Sequence, residues 1–202
     1  YLGHFIEKGH QLGLEIHASL NVFCAGHNYF DRGLVYSGHS EWASIVYNPD
    51  RGLIPITEEK EKYGGMVNPL NEEYRTHILN VLKELVGKYP ALDGLMLDRV
   101  RYDGISADFS DLSRETFEAY IGEKVENFPE DILTWNKEGK RPKPELGKWS
   151  KKWFEWRTKT ITEFMGIMRD AVKSVNPNIS FGTYTGAWYP SCLLYTSPSP
   201  RD

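Results

Sequence analysis

The sequence predicts an α/β fold in which helices cover a parallel sheet, and three segments carry this prediction. Residues 14–23 alternate between apolar and polar side chains with a period of two, which indicates a strand. Residues 71–88 carry one apolar stripe at helical spacing, and residues 92–98 form a second, shorter apolar strand. A strand, a helix and a second strand in this order form a right-handed crossover, so we expect the two strands to lie parallel.

The composition excludes several classes of function. The chain has 202 residues and a formal net charge of −4, which suits one domain or part of one and argues against electrostatic binding of nucleic acid. No apolar run approaches the length of a membrane-spanning segment. The two cysteines provide no disulfide framework, and the six histidines include no HxH or HExxH pattern. We therefore expect neither a metal nor another cofactor.

The first strand has two different faces. One face is apolar and consists of Leu14, Ile16, Ala18, Leu20 and Val22. The other is mainly polar and consists of Glu15, His17, Ser19, Asn21 and Phe23. A strand followed by a crossover helix has its apolar face under the helices, so in a closed barrel the polar set faces the interior and its mouth. His17, Ser19 and Asn21 are therefore pocket candidates, and the alternative is a solvent-facing sheet surface.

Residues 24–68 form a long, glycine-rich segment without steady periodicity, which we interpret as a loop. Loops of this length in compact domains usually carry function. Its aromatic side chains suit stacking against sugars, although packing of the loop onto the domain would use the same residue types. They include His27, Tyr29, His39, Trp42 and Tyr47.

The rest of the chain contains further helices and a third strand. Asn71 is the expected N-cap of the helix over 71–88. The next helix spans 113–125, and residues 126–149 are an excursion rich in proline, lysine and tryptophan. A long helix over 150–175 precedes the third strand, residues 179–184. The expected inward side chains of the two helices are Phe117, Tyr120 and Ile121, then Phe154, Ile161, Phe164, Met165, Met168, Val172 and Val175.

Asp98 is the candidate catalytic residue because the apolar strand over 92–98 ends on it, in a charged segment. Met96 and Asp98 share one face of this strand. In parallel sheets and barrels the chemistry lies at the carboxyl ends of the strands, which is where Asp98 lies. The alternative is an aspartate that caps the strand and pairs with Arg99 or Arg101.

Two segments match known sequence patterns with specific departures. Residues 8–21 are similar to AHxRGLEVHAWxN, and Ser19 takes the place of the Trp. Residues 68–103 are similar to NPxxPEVRxYIxxVVxEVVxxYxVDGIHLDYxRYP. In this second segment Met96 takes the place of a His and Asp103 the place of a Pro.

A third match joins Trp156-Arg157 to Phe181-Gly182, which are similar to DWRRxNV and FGISP. Together the three segments resemble glycosyl-hydrolase-like family 10, a family of bacterial (β/α)8 barrels. The resemblance implies that residues 1–190 form a partial TIM (β/α)8 barrel with long βα loops, covering about its third to fifth strands. A barrel fragment cannot close its sheet, so we do not expect this stretch to be stable or active by itself.

Neither end of the chain resembles a natural terminus. Tyr1 opens within what reads as a helix, so we expect the native N-terminus to lie upstream, and a signal peptide would not be visible here. Residues 192–202 resemble translated sequencing-adaptor read-through. We therefore expect residues 191–202 to be a non-native tail.

The resemblance also implies a carbohydrate substrate and roles for particular residues. Asp98 becomes the nucleophile or the carboxylate that stabilises the transition state. Asp103 is the nearest second carboxylate, unless it only shapes the turn before the following glycine. Arg101 holds Asp98 ionised or binds a hydroxyl, unless it is a structural ion-pair partner, and Asp93 is expected to shape the turn into the strand. Further substrate-binding candidates, with plain packing as the alternative, are His17, Asn21, Tyr102, Tyr184 and Trp188.

We therefore expect a glycoside hydrolase that acts outside the cytoplasm on a poly- or oligosaccharide, with peptidoglycan-type glycans among the candidates. The first alternative is a non-catalytic carbohydrate-binding barrel, which would keep an aromatic mouth but lack one carboxylate. A polysaccharide lyase would need a Tyr or Lys base beside a neutralised carboxylate, and a deacetylase would need metal ligands, which the sequence does not show.

Overall fold

A computed structural model describes residues 1–184 of the chain. The helices are α1 Leu2–Gln11, α2 Glu72–Lys88, α3 Asp111–Ile121 and α4 Ser150–Val175. The strands are β1 His17–Asn21, β2 Cys24–His27, β3 Arg32–Gly33, β4 Ile45–Asn48, β5 Gly52–Pro55, β6 Gly64–Met66, β7 Gly94–Asp98, β8 Leu133–Asn136, β9 Lys143–Leu146 and β10 Ser180–Thr183. Short 3₁₀ turns occur at Leu34–Tyr36, Ser40–Trp42 and Ile56–Glu58.

The central sheet has three parallel strands in the order β1, β7, β10. Helix α2 connects β1 to β7, and helices α3 and α4 lie between β7 and β10. This is the alternation of strand and helix found in a (β/α)8 barrel, so the predicted partial barrel with long βα loops is confirmed. None of the helices in residues 1–184 is long and apolar enough to cross a membrane.

The main core lies between one face of the central sheet and helices α2 and α4. Leu95 and Leu97 of β7 are fully buried there, as the alternation of the strand requires. The helices contribute side chains at helical spacing, namely Ile78, Leu82 and Val86 from α2 and Ile161, Phe164, Met168 and Val172 from α4. The opposite face of β1 carries exposed side chains at His17, Ser19 and Asn21.

Helix α2 begins and ends as predicted, because its caps are local. The Asn71 side chain accepts a hydrogen bond of 2.8 Å from the Tyr74 amide, which satisfies one of the free amides of the first turn. Helix α3, by contrast, is capped by Ser110 and ends before Gly122, which has a φ of 75°. The predicted limits of 113–125 are therefore wrong by a few residues at both ends.

Four predicted positions of apolar side chains are wrong. Leu14 was expected under the helices, but it lies before β1 begins and is 56% exposed. Phe23 was assigned to the polar face of the first strand, but β1 ends at Asn21, and the Phe23 ring packs against Tyr74 and Phe164 on the helix side. Tyr120 is 39% exposed and Val175 42% exposed, because each lies near the end of its helix.

The segments 24–68 and 126–149 contain regular structure that the sequence did not predict. Strands β3, β2 and β6 form a small sheet, β4 pairs with β5, and β8 pairs with β9, all antiparallel. Each strand has two to four residues, which is too short for a period of two to be visible. The buried side chains of 24–68 join the main core, whereas a second apolar cluster supports 126–149 and includes Phe109, Phe117, Val125, Ile132, Trp153 and Trp156.

Candidate active site

Asp98 lies at the carboxyl end of β7, the middle strand of the central sheet. Its Cα pairs with that of Asn21 at the end of β1, and its carbonyl accepts a hydrogen bond of 2.8 Å from the Val22 amide. The amide of Tyr184 donates to the Leu97 carbonyl at 2.9 Å, which continues the register of β10 by one residue. The structure therefore brings three predicted site residues, Asn21, Asp98 and Tyr184, to one end of the sheet.

The Asp98 side chain is half-buried and is held by its own backbone. Its Oδ1 accepts a hydrogen bond of 2.7 Å from the amide of Arg99. Arg99 has a φ of 53°, in the left-handed region that non-glycine residues rarely adopt. Such a conformation is retained where the surroundings impose it, and it occurs often beside functional groups. From the sequence, Arg99 was expected only as an ion-pair partner of Asp98, but within residues 1–184 it is the Arg99 amide that bonds Asp98, and the two side chains form no ion pair.

His17 lies at the other end of the sheet. It pairs with Gly94, four residues before Asp98, so at 3.3 Å per residue it is about 13 Å from the level of Asp98. A Cβ atom on Gly94 would come within 2.4 Å of the His17 ring, so the ring lies directly against the glycine backbone. Its Nε2 is 3.5 Å from the Glu15 carboxylate. The structure thus separates His17 from Asp98.

The middle level of the same face is occupied by Met96 and its two neighbours. Met96 pairs with Ser19 of β1 on one side and with Gly182 of β10 on the other. A Cβ atom on Gly182 would lie 3.0 Å from the Met96 sulfur, so the methionine extends over the glycine. The two departures from the family pattern on these strands, Ser19 and Met96, therefore lie side by side.

Arg101 and Tyr102 follow Asp98, but within residues 1–184 neither side chain forms a hydrogen bond or ion pair with it. Arg101 is half-buried, and its guanidinium is 3.5 Å from the Tyr102 carbonyl. Among the described residues it forms no ion pair with Asp98. Tyr102 is 2% exposed, and burial raises the pKa of its hydroxyl. A side chain so enclosed does not reach a substrate in this conformation, so we leave Tyr102 out of the candidate site.

Arg157 is the residue that holds this loop in place. It is 1% exposed in α4, its guanidinium carbon lies 4.3 Å from the centre of the Tyr102 ring, and it donates a hydrogen bond of 2.7 Å to the Gly104 carbonyl. Burial lowers the pKa of Arg157 to about 10. In the part of the chain that the structure describes, its Nε and one terminal nitrogen have no partner. The sequence singled out Arg157 only as part of the Trp156-Arg157 match, because residue types alone do not show that an arginine is buried.

Asp103 is engaged by a lysine. Its carboxylate forms an ion pair of 2.5 Å with Lys62, and the Lys62 ammonium is also 3.4 Å from the Ser106 hydroxyl. These contacts join the segment before β6 to the loop after β7. The Asp103 carboxylate is therefore already paired in this structure.

Two other aspartates, Asp93 and Asp108, are engaged in hydrogen bonds that stabilise the fold. Asp93 accepts hydrogen bonds from the Ile16 amide at 2.6 Å and from the His10 ring at 2.7 Å, and these bonds lower its pKa. This arrangement agrees with the expected role of Asp93 in the turn before β7. Asp108 is fully buried, and burial raises its pKa although it accepts bonds from Ile45, Asn68, Ser110 and Ser113.

One group in the described part of the chain has the composition of a metal site. Ligand atoms of His39, Glu41 and Glu73 all lie within 4.8 Å of one another. Glu73 already accepts a hydrogen bond of 3.1 Å from the Trp42 indole, and His39 stacks on the same indole at 3.7 Å. These contacts account for the group as packing between a 3₁₀ turn and α2, so we assign no metal to it. Trp188 lies outside the described residues, so its role in substrate binding stays a prediction.

Comparisons with known proteins identify the family of the chain. The family model described as Glycosyl hydrolase-like 10 matches residues 1–193. The chain belongs to this family. A curated relative, an S-layer-related protein of Niallia circulans, is 36% identical over 96% of the chain, which spans only 12% of that protein.

Several solved structures have a fold similar to that of this glycosyl hydrolase-like 10 chain. The glycoside hydrolase domain of PgaB (BpsB) from Bordetella bronchiseptica matches with a TM-score of 0.65 and 12% identity, over 96% of this chain and 49% of that one. An α-L-fucosidase from Paenibacillus thiaminolyticus (TM-score 0.58, 15% identity) matches 91% of this chain and 22% of its own. A β-galactosidase from Bacillus circulans sp. alkalophilus (TM-score 0.58, 12% identity) matches over 90% of this chain and 28% of its own length. At these identities the likeness concerns the fold, and the chain spans about half or less of each neighbour.

Proposed function

We propose that the protein containing this chain is a glycoside hydrolase that acts on a poly- or oligosaccharide, with Asp98 as its nucleophile or stabilising carboxylate. The observation that carries the proposal is the place of Asp98. It ends the middle strand of the sheet, on the face away from the helices and level with Asn21 and Tyr184. In barrels of this kind the reacting groups come from the carboxyl ends of the strands.

The proposed chemistry needs two carboxyl groups on either side of the scissile bond. Asp98 supplies one, as a nucleophile or as a negative charge that stabilises the oxocarbenium-like transition state. Asn21, beside it in the register, is suited to donate a hydrogen bond to a sugar hydroxyl, and Tyr184 is 59% exposed at the same end. Asp103 is the second candidate, and a substrate that used it would have to compete with Lys62 for its oxygens.

The substrate class and the location of the protein are also proposals. We infer a polysaccharide of the cell envelope, with peptidoglycan-type glycans as the first candidates, and action outside the cytoplasm. Two observations support this inference, the S-layer-related description of the Niallia circulans relative and the likeness to the PgaB glycoside hydrolase domain.

The decisive experiment compares the full-length protein with its Asp98→Asn variant on a panel of cell-envelope glycans. Asparagine keeps the shape of the side chain and removes the negative charge, so the proposal predicts a loss of turnover of at least about 10³-fold. Asp111→Asn is the matched control, because Asp111 is an exposed aspartate in the first turn of α3. Undiminished turnover in Asp98→Asn would refute the proposed role.

A non-catalytic carbohydrate-binding barrel is the second candidate, and the ion pair between Lys62 and Asp103 favours it, because that pair occupies the nearest second carboxylate. The same experiment separates the two functions. A non-catalytic binding protein would still bind its glycan after either substitution, Asp98→Asn or Asp111→Asn. Neither the wild type nor the two variants would then release reducing ends.

A further inference from the structure

An exposed row of aromatic rings lies beside the candidate active site. The His27 ring is 4.4 Å from the Tyr63 ring and 4.7 Å from the Phe30 ring, measured between centroids, and Phe30 is 4.9 Å from Tyr29. Tyr63 is 62% exposed, Phe30 60% and Tyr29 76%, while His27 is half-buried beneath them. We call these four residues the aromatic row. Contiguous exposed rings of this kind mark binding surfaces more often than isolated ones do.

The aromatic row is joined to Asp98 by one residue. Arg99 follows Asp98 directly, and its guanidinium carbon lies 5.2 Å from the centre of the Tyr63 ring. The Tyr63 ring therefore lies no more than roughly 16 Å from the Asp98 backbone. This upper limit adds the peptide link from Asp98 to Arg99, the length of the arginine side chain and its contact with the ring. A polysaccharide chain with one bond at Asp98 would extend over this distance within a few sugar units.

The supporting structure fixes the row in place. Tyr63 immediately precedes β6, and β6 pairs with β2, the strand that ends at His27. A Cβ atom on Gly64 would lie 2.8 Å from the Cys24 sulfur and 3.3 Å from the Arg99 guanidinium, so the β6 backbone packs closely on both. His27 lies in β2, Tyr29 and Phe30 lie in the turn that joins β2 to β3, and Tyr63 lies next to β6. The paired strands therefore anchor the row, which lowers the entropy lost when a ligand binds.

We propose that the aromatic row is a sugar-binding subsite that holds a glycan chain at a distance from the bond at Asp98. The faces of aromatic rings carry partial negative charge, and the C–H groups on the face of a pyranose ring carry partial positive charge, so the two stack favourably. The proposal rests on the proposed function for its ligand class, a neutral or N-acetylated polysaccharide. Arg99 connects the two sites, since the same residue follows Asp98 and supports Tyr63.

The test measures glycan binding separately from hydrolysis, in the full-length protein. Binding of chitohexaose and of cellohexaose is measured by calorimetry in the Asp98→Asn background, where bond cleavage contributes no heat. Phe30→Ala and Tyr63→Ala are each expected to raise Kd about tenfold for the hexamer that binds. Phe5→Ala and Tyr120→Ala are the matched controls, because both rings are exposed and lie on helices α1 and α3, outside the row. The controls are expected to change Kd less than twofold.

Each outcome decides the proposal. Unchanged affinity in Phe30→Ala and Tyr63→Ala overturns it, as does an intact protein that binds neither hexamer. A dimer in sedimentation that Phe30→Ala dissociates, with glycan affinity unchanged, would show that the row contacts a second copy of the protein and would also overturn it. Row-dependent binding in a protein that hydrolyses none of the glycans would refute the proposed function and leave the subsite standing. Thermal melting of each variant establishes that these exposed substitutions leave the fold intact.

Discussion

Replacing Glu118 with glutamine should remove a pH-dependent part of the stability of this domain. The Glu118 side chain, in α3, is only 4% exposed. Its carboxylate accepts hydrogen bonds from the Lys124 ammonium at 2.6 Å, the Val125 amide at 3.0 Å and the Arg114 guanidinium at 3.0 Å. These bonds, with the one from Lys124 first, lower the pKa of Glu118 from 4.5 to about 2.

The size of the effect follows from this pKa and from the exposure of the partners. The difference between 4.5 and about 2 sets an upper limit of roughly 3 kcal/mol on the pH-dependent stabilisation. Lys124 is 81% exposed and Arg114 39% exposed, so water weakens both ion pairs, and we expect ~1–2 kcal/mol. Because the pKa is lowered on folding, this stabilisation is complete above about pH 5 and is lost as the pH falls towards 2.

The assay is denaturant unfolding of the wild type and of Glu118→Gln between pH 7 and pH 3. The wild type should be more stable by ~1–2 kcal/mol at pH 7, and the difference should shrink as the pH falls. Glu115→Gln is the control, because Glu115 is an exposed glutamate on the same helix. A difference that stays constant with pH, or an equal effect of Glu115→Gln, would refute the reasoning.

Two further substitutions test the packing that positions the site. Leu97→Ala removes a fully buried side chain between β7 and the helices, so chemical denaturation should show a free energy of unfolding lower by about 2–5 kcal/mol. Leu146→Ala is the control, because this position is 57% exposed, and it should change the free energy of unfolding by less than about 0.5 kcal/mol. Gly94→Ala should lower the melting temperature, because its new Cβ would meet the His17 ring at 2.4 Å, at a cost of about 1–3 kcal/mol. His17→Ala in the same chain should restore most of that loss, and the absence of such a rescue would contradict the close contact.

The parts of the fold that could be predicted are those with long periods and local signals. Helices α2 and α4 and strand β7 have apolar side chains at regular spacing, and Asn71 caps α2 through its own side chain. The strands in 24–68 and 126–149 could not be predicted. They have two to four residues each, and their pairing depends on contacts with distant residues, such as the bond from the Trp135 indole to the Tyr47 carbonyl.

The candidate site was predicted in part, for a reason that lies in strand geometry. Alternation tells which face of a strand a side chain occupies, so Asn21 was expected on the polar face of its strand and Asp98 on the face of Met96, and the sheet register places the two side by side. It does not tell how far along the sheet a residue lies, and His17 proved to be at the opposite end from Asp98. Residue type also cannot separate a buried aromatic from an exposed one, and Trp42 is 2% exposed whereas Tyr63 is 62% exposed.

The hydrogen bond from Arg157 to the Gly104 carbonyl has a consequence for the order in which the protein is made. The two residues are 53 positions apart, and the whole β8–β9 excursion lies between them. A ribosome adds roughly 5–20 residues per second, so the loop after Asp98 exists for about 3–10 seconds before the arginine that fastens it has been synthesised. During that interval the Tyr102 ring has no guanidinium to cover it. The loop beside the candidate catalytic aspartate therefore cannot take its final shape on the nascent chain before this part of α4 has been synthesised.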